Sequence, residues 1–445
     1  MRAPITPILL ARVWLLIAAA LVIYRGCTQS LTIDEAHAYH LYLNQKAEVL
    51  FRNYEASYHV LQTWASWMAV HKFGKPEPVV RLPSMLAGLF YLVGVYALCK
   101  RFLGENWRFL VGVVLLTANP LIADYLSAAR GYGAALMFFV WAFYALLLDK
   151  PARAGVLLAL SAGCNLTFLI PAAAAGAVYL SLHPTRTVRF LLPLAAILAP
   201  VLAIPLLNGT AENYYYGAPD IRTSVSTLLA PSLAYREMGI PAWIFSVQAV
   251  ALPLLLAAIV WRFITAWRTR AILPTLATGS LLGSLLILVT AHTTVGTLYP
   301  WTRTGLYLIW LLLFCCLVLW ENSRVFSVIC VLLAALFLSQ TDTRYYYEFR
   351  EDARVNTLMA MLRDRPHSTR VCIGGSWRFD AVVNYYRLRY KLDWIDEMQR
   401  TEKPEQGCQY FLLEQKDESF VDQLHLTVLR RDPLSGVTLA EAVLR

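Results

Sequence analysis

Residues 304–320 read Thr304-Gly305-Leu306-Tyr307-Leu308-Ile309-Trp310-Leu311-Leu312-Leu313-Phe314-Cys315-Cys316-Leu317-Val318-Leu319-Trp320, an uncharged run closed by Arg303 on one side and Glu321 on the other. A helix rises 1.5 Å per residue, so this run comes close to crossing a hydrocarbon core about 30 Å thick. The predicted span covers residues 303–320, and comparable runs extend outward from it. Residues 272–291 and 243–261 precede it, and residues 324–340 follow. Nearer the N-terminus lie 188–207, two short pieces within 154–182 interrupted by Asn165 and Pro171, then 132–148, 107–120, 80–99 and 8–24. The series predicts an all-α polytopic membrane protein with about eleven transmembrane helices.

Composition agrees. Of the 445 residues, 58% are hydrophobic and only 15% charged, with a mean hydropathy of +0.51. Soluble domains carry roughly 25% charged residues. The net charge of +10 comes largely from short loops on one side of the predicted spans, among them Lys100, Arg101, Arg108, Lys150, Arg153, Arg186, Arg189, Arg262, Arg268, Arg270 and Arg324. The short loops of the other side hold chiefly Arg130 and Arg303. By the positive-inside rule this places the N-terminus in the cytoplasm, and the long loops 25–79 and 208–241 and the C-terminal tail outside. The expected location is the bacterial inner membrane, with membrane lipids as the surroundings. No basic patch suited to nucleic acid is present. The run at residues 8–24 is long for a signal peptide and lacks a small-x-small cleavage site, so it is expected to remain as the first span.

More than half of the 29 acidic residues follow Tyr345. That shift predicts a transmembrane domain over residues 1–343 and a small soluble α/β domain over 344–445 on the extracytoplasmic side. Residues 371–374, 410–413 and 426–429 have the look of strands, and 379–390 of a helix. Cys372 and Cys408 lie in this tail and could pair in an oxidising compartment. The apolar setting of Cys99, Cys164, Cys315, Cys316 and Cys330 suits core residues.

Candidate chemistry gathers at the predicted outer surface. The first long loop opens with Thr32-Ile33-Asp34-Glu35-Ala36-His37-Ala38-Tyr39-His40. A carboxylate partly withdrawn from water gains basicity, as a base for deprotonating an acceptor hydroxyl requires. The alternative is a helix N-terminus, which also favours Asp and Glu. His59, in Ser57-Tyr58-His59, either donates to a phosphate or is an interfacial histidine bonded to backbone. Arg130 stands in Ala129-Arg130-Gly131-Tyr132-Gly133, where a planar guanidinium beside glycines suits a phosphate group. A snorkelling span-end residue is the other reading. Asp124 either pairs with an arginine or binds a metal. Arg303, in Tyr299-Pro300-Trp301-Thr302-Arg303-Thr304-Gly305-Leu306-Tyr307, offers a second phosphate contact or a span anchor. Asn213-Tyr214-Tyr215-Tyr216 reads as interfacial aromatics or a sugar-stacking surface. No Asp, Glu or Lys falls near the middle of a predicted span, which favours surface chemistry over ion-coupled transport.

The Asp34-Glu35 pair in the first outer loop, the Arg81-Leu82-Pro83-Ser84 opening of the second span, Ala129-Arg130-Gly131-Tyr132 and Arg303-Thr304-Gly305-Leu306-Tyr307 appear in an order that resembles bacterial membrane glycosyltransferases of the GT-C fold. That class includes protein O-mannosyltransferases and aminoarabinose transferases. The resemblance covers residues 8–340. It implies an inverting sugar transfer from a polyprenyl-phosphate donor to a lipid, glycan or protein acceptor. Asp34 would be the catalytic base, with Glu35 in support. Arg130 and Arg303 would hold the donor phosphate, and His59, Asp124, Tyr132 and Tyr307 would complete the substrate site. These residues single out no certain cofactor, and a divalent metal, Mg or Mn, is compatible with them. A transporter or flippase for a lipid-linked sugar, or a membrane scaffold, are the competing functions.

Overall fold

A computed structural model describes residues 6–55, 57–210, 216–365, 369–404 and 407–442. The chain forms two compact units. A helical unit comprises Met1–Ile23, Leu50–Trp64 and Pro83–Asp342; a mixed unit comprises Tyr24–Val49, Ala65–Leu82 and Thr343–Arg445. The tail therefore shares its unit with two segments of the first long loop.

Among the described residues, six helices are long and apolar enough to cross a membrane: Pro7–Thr28, Leu82–Leu103, Pro184–Asn208, Ala242–Thr269, Ile272–Val295 and Thr302–Leu319. This is a multi-pass membrane protein. The remaining spans of the expected eleven correspond to shorter apolar helices, Trp107–Thr117, Tyr132–Leu147, Pro151–Cys164, Leu166–Leu182 and Arg324–Gln340. Their length alone does not carry them across a bilayer, and polar breakers explain why several are short. Asn106 caps the first, accepting from the backbone of Arg108 and Phe109. Asn119 accepts from the Ile122 amide and starts a separate short helix, Pro120–Tyr125. Asn165 divides residues 154–182 as expected. Pro171 does not, because it falls near the start of the Leu169–Leu182 helix, where a missing amide donor costs little.

Within this unit the apolar helices differ in surroundings. The Thr302–Leu319 span is 89% buried, whereas Pro7–Thr28, Pro184–Asn208 and Ala242–Thr269 are 17%, 22% and 11% buried. A helix that is apolar all round belongs in the interior. Trp310 stacks on Phe314 with ring centroids 5.2 Å apart, and Phe139 and Phe143 meet Trp310 edge-on at 5.7 Å. Small residues allow close helix crossings. Gly155, for example, lies against the Phe190 carbonyl, where a side chain would collide.

The mixed unit contains a four-stranded sheet, β1 (Ile373–Gly375), β2 (Tyr410–Leu413), β3 (Leu426–Arg431) and β4 (Thr438–Ala442), in the order β1-β2-β4-β3. The β1 and β2 strands run parallel, joined through a helix at Asp380–Arg389, while β4 is antiparallel to both its neighbours. Three strands and that helix lie close to where they were expected. The β4 strand, three residues before Arg445, has no counterpart among the expected strands. Cys372 and Cys408, each just before its strand, form a disulfide. Phe411, Leu413, Leu426 and Ala440 pack beside Cys408 in the core. The first-loop segments bond to the tail inside this unit: Arg25 donates to the Tyr345 carbonyl at 2.8 Å, the Tyr386 hydroxyl accepts from the Leu31 amide at 3.0 Å, and Tyr39 meets Tyr385 edge-on at 5.0 Å.

Candidate active site

The Asp34-Glu35 pair occupies the first turn of a six-residue helix, Ile33–Ala38. Thr32 caps it: the Thr32 hydroxyl accepts from the Glu35 amide, and the Glu35 carboxylate accepts from the Thr32 amide at 2.9 Å. This reciprocal bonding satisfies two amides that no helical carbonyl can reach. The helix-terminus reading and the carboxylate-site reading thus meet at the same residues.

The two acids have different fates. Glu35 is 1% exposed and bound by Arg81, which is 0% exposed; Arg81 Nε donates to Oε1 at 2.8 Å and Nη2 to Oε2 at 2.5 Å. The same guanidinium also donates to the carbonyls of Gln29 and Ser30 at 2.7 and 2.6 Å. Burial acts to lower the Arg81 pKa, but the Glu35 charge and hydrogen bonds more than offset it and leave it raised. Glu35 is therefore committed to holding the loop, and its part in any chemistry is to fix the turn that carries Asp34. Asp34 is only partly buried.

A third carboxylate, which sequence reasoning missed, stands beside this turn. Asp352 is 1% exposed, and its Oδ2 accepts from the Ile33 amide at 2.7 Å. Arg378 Nε lies 3.7 Å from Asp352 Oδ1, and its Nη2 lies 3.0 Å from Glu351. Burial pushes the Asp352 carboxyl up to about 7; Arg378 and the Ile33 amide oppose that rise, while Glu351 and Asp34 add to it. Arg378 in turn is raised overall, because Asp352, Glu351, Glu414 and Asp34 outweigh its burial. Asp34, Asp352 and Arg378 are thus close enough to sense one another's charge. No sequence signal links Asp34 to Asp352 and Arg378, both more than three hundred positions away from it.

The helical unit holds the remaining candidates. Arg130 is 3% exposed and donates to the Ser57 carbonyl at 3.5 Å. Gly131 follows with φ +73, and a side chain there would meet the Cys164 carbonyl and the His59 ring. The glycine thus makes room for the Cys164 carbonyl and for His59. His59 Nδ1 lies 3.3 Å from Asn165 Nδ2, and its ring meets Tyr132 edge-on at 5.3 Å. Arg130, His59 and Tyr132 therefore gather around one turn. Asp124, 2% exposed, accepts from the Tyr235 hydroxyl at 2.8 Å. Arg303 lies over the Tyr216 ring at 4.4 Å and donates to its hydroxyl at 3.0 Å. Asn213, Tyr214 and Tyr215 lie outside the described residues. Tyr307 is fully enclosed, edge-on to Phe168 at 5.7 Å, and serves the core. Among the described residues no group of three or more His, Cys, Asp or Glu is placed to hold a metal.

This unit also contains an apolar cavity of about 530 Å³. Leu229, Leu255, Leu313 and Phe337 are among its walls, and among the described residues the hydroxyl and amide side chains lining it are those of Ser232 and Asn119.

No protein-family model and no curated protein matches this chain. Solved structures do match in fold. The crystal structure of ArnT from Cupriavidus metallidurans in the apo state is similar over 97% of this chain and 98% of its own, with a TM-score of 0.50 and 13% identity. The structure of the same protein bound to undecaprenyl phosphate gives the same figures. The expected resemblance to GT-C membrane glycosyltransferases thus holds at the level of fold, which this chain shares along nearly its whole length with ArnT.

Proposed function

We propose that this protein transfers a sugar from a polyprenyl-phosphate donor to an acceptor hydroxyl on the outer face of the bacterial inner membrane. The observation that carries the proposal is the likeness in fold, over nearly the whole chain, to an enzyme structure that holds undecaprenyl phosphate. The residues suit that chemistry. Asp34, partly exposed on a turn braced by Glu35 and Arg81, acts as the base. It takes the proton of the acceptor hydroxyl as the acceptor oxygen bonds to the anomeric carbon. The bond from that carbon to the donor phosphate breaks, and polyprenyl phosphate leaves. Attack opposite the leaving group inverts the anomeric centre. Arg130, with Arg303, stabilises the charge that grows on the phosphate. His59 and Tyr132 shape the Arg130 turn, and the apolar cavity takes part of the prenyl chain. The N-terminus is cytoplasmic and the tail, with its disulfide, is extracytoplasmic.

The test is sugar transfer in liposomes. Purified protein is given undecaprenyl-phosphate mannose, glucose and aminoarabinose in turn, with envelope extract as acceptor. Transfer by wild type and none by Asp34→Asn supports the proposal. Equal transfer by both removes Asp34 from the mechanism. No transfer by either, together with movement of the lipid-linked sugar between leaflets, replaces the enzyme with a flippase.

A further inference from the structure

We infer that Asp352 and Arg378, both in the tail, are positioning residues for Asp34. This inference rests on the proposed role of Asp34 as a base. Asp352 accepts the amide of Ile33, the residue just before Asp34, at 2.7 Å. That bond fixes the start of the turn from which Asp34 projects. Asp352 is a fully enclosed carboxylate, and an ion so placed is tolerated only beside a partner. Arg378 supplies that partner at 3.7 Å and is itself anchored to Glu351 at 3.0 Å. The cluster extends to Glu414, whose carboxylate accepts from the Ser376 hydroxyl at 2.9 Å and adds to the field on Arg378. The tail therefore delivers a hydrogen bond and a balanced pair of charges to the turn that carries the base.

The charges give this arrangement a signature. Asp34 and Asp352 face one another electrostatically across the field of Arg378, Glu351 and Glu414. Burial holds the Asp352 carboxyl up at about 7, and Arg378 is the charge that chiefly opposes that rise. Activity therefore follows the ionisation of Asp352, rising as pH increases through that step. Loss of Asp352 removes the step, and loss of Arg378 moves it to higher pH.

The experiment uses the liposome transfer assay with whichever of the three undecaprenyl-phosphate sugars is active, over a range of pH. Asp352→Asn keeps an oxygen to accept the Ile33 amide but removes the charge. It is expected to lower kcat by about tenfold or more, to leave donor KM within about twofold, and to abolish the step near pH 7. Arg378→Met is expected to shift the acid limb to higher pH, and Arg378→Lys to restore it in part. Wild-type kcat and pH profile in both Asp352→Asn and Arg378→Met, with Asp34→Asn still silent, overturns the inference and leaves the base intact. Activity in Asp34→Asn overturns the base itself. Should Asp352→Asn fail to fold, the two arginine variants decide: equal pH profiles for Met, Lys and wild type overturn the inference.

Discussion

Two turns, one in each unit, lead into helices and are built in opposite ways. The Thr32–Glu35 turn of the mixed unit is held by side chains and charge: a capping threonine, a buried ion pair with Arg81 and a carboxylate from Asp352. The Arg130–Tyr132 turn of the helical unit has no side-chain cap and is made by backbone, with Gly131 at φ +73 against the Cys164 carbonyl. A turn fixed by charge should be sensitive to neutralisation, and a turn fixed by close approach should be sensitive to volume. The contrast also separates adjacent residues, since Asp34 and Glu35 share a turn but only Glu35 is enclosed.

The largest expected effect is Asp34→Asn. A general base contributes about 10²–10⁴-fold in rate, so transfer should fall by that factor while the thermal melt in detergent stays at the wild-type temperature. A matching loss of folded protein would erase the distinction between Asp34 and Glu35. Glu35→Gln should act on stability instead. Removing one partner of a buried ion pair costs about 3–5 kcal/mol, which should appear as a sharply lowered melt and poor yield. A wild-type melt would show that the Arg81 pair does not hold the turn.

On the other turn, Arg130→Ala should reduce transfer by about 10²–10³-fold, the scale of a lost donor to a developing oxyanion. Arg130→Lys should recover only part of it, because a point charge lacks the planar fork. Equal activity in all three proteins would free Arg130 from phosphate binding. The smallest change is Gly131→Ala. A left-handed residue with a side chain costs about 1–2 kcal/mol, and the neighbouring carbonyl adds to it. A melt unchanged by the added methyl would mean that the Arg130 turn relaxes easily, contrary to its proposed tightness.

The apolar runs and the Asp-Glu and Arg-Gly dipeptides are local features, and local features were legible. Six of the predicted spans have the length to cross, because hydropathy and helix length are read from consecutive residues. The fate of Glu35 was not legible: its partner Arg81 is 46 positions away, at the opening of the second span. Asp352 and Arg378 were hidden in the acidic composition of the tail, since the contact between Asp352 and Ile33 spans 319 residues. The β4 strand was missed because five residues near a chain end carry too short a pattern to read. Burial was misleading in one direction only, as Tyr307 looked like part of a surface motif and lies in the core.

The Thr302–Leu319 helix carries a consequence for biogenesis. It is apolar enough to cross a membrane, yet 89% of it ends up enclosed by protein. During synthesis it can leave the translocation channel into lipid as readily as its neighbours, and only then exchange lipid for Phe139, Phe143 and the other helices around it. Membrane proteins assemble in two such stages, insertion and then packing. A small residue inserted into this helix would spare the first stage and damage the second, giving a chain that is correctly threaded but never closes its centre.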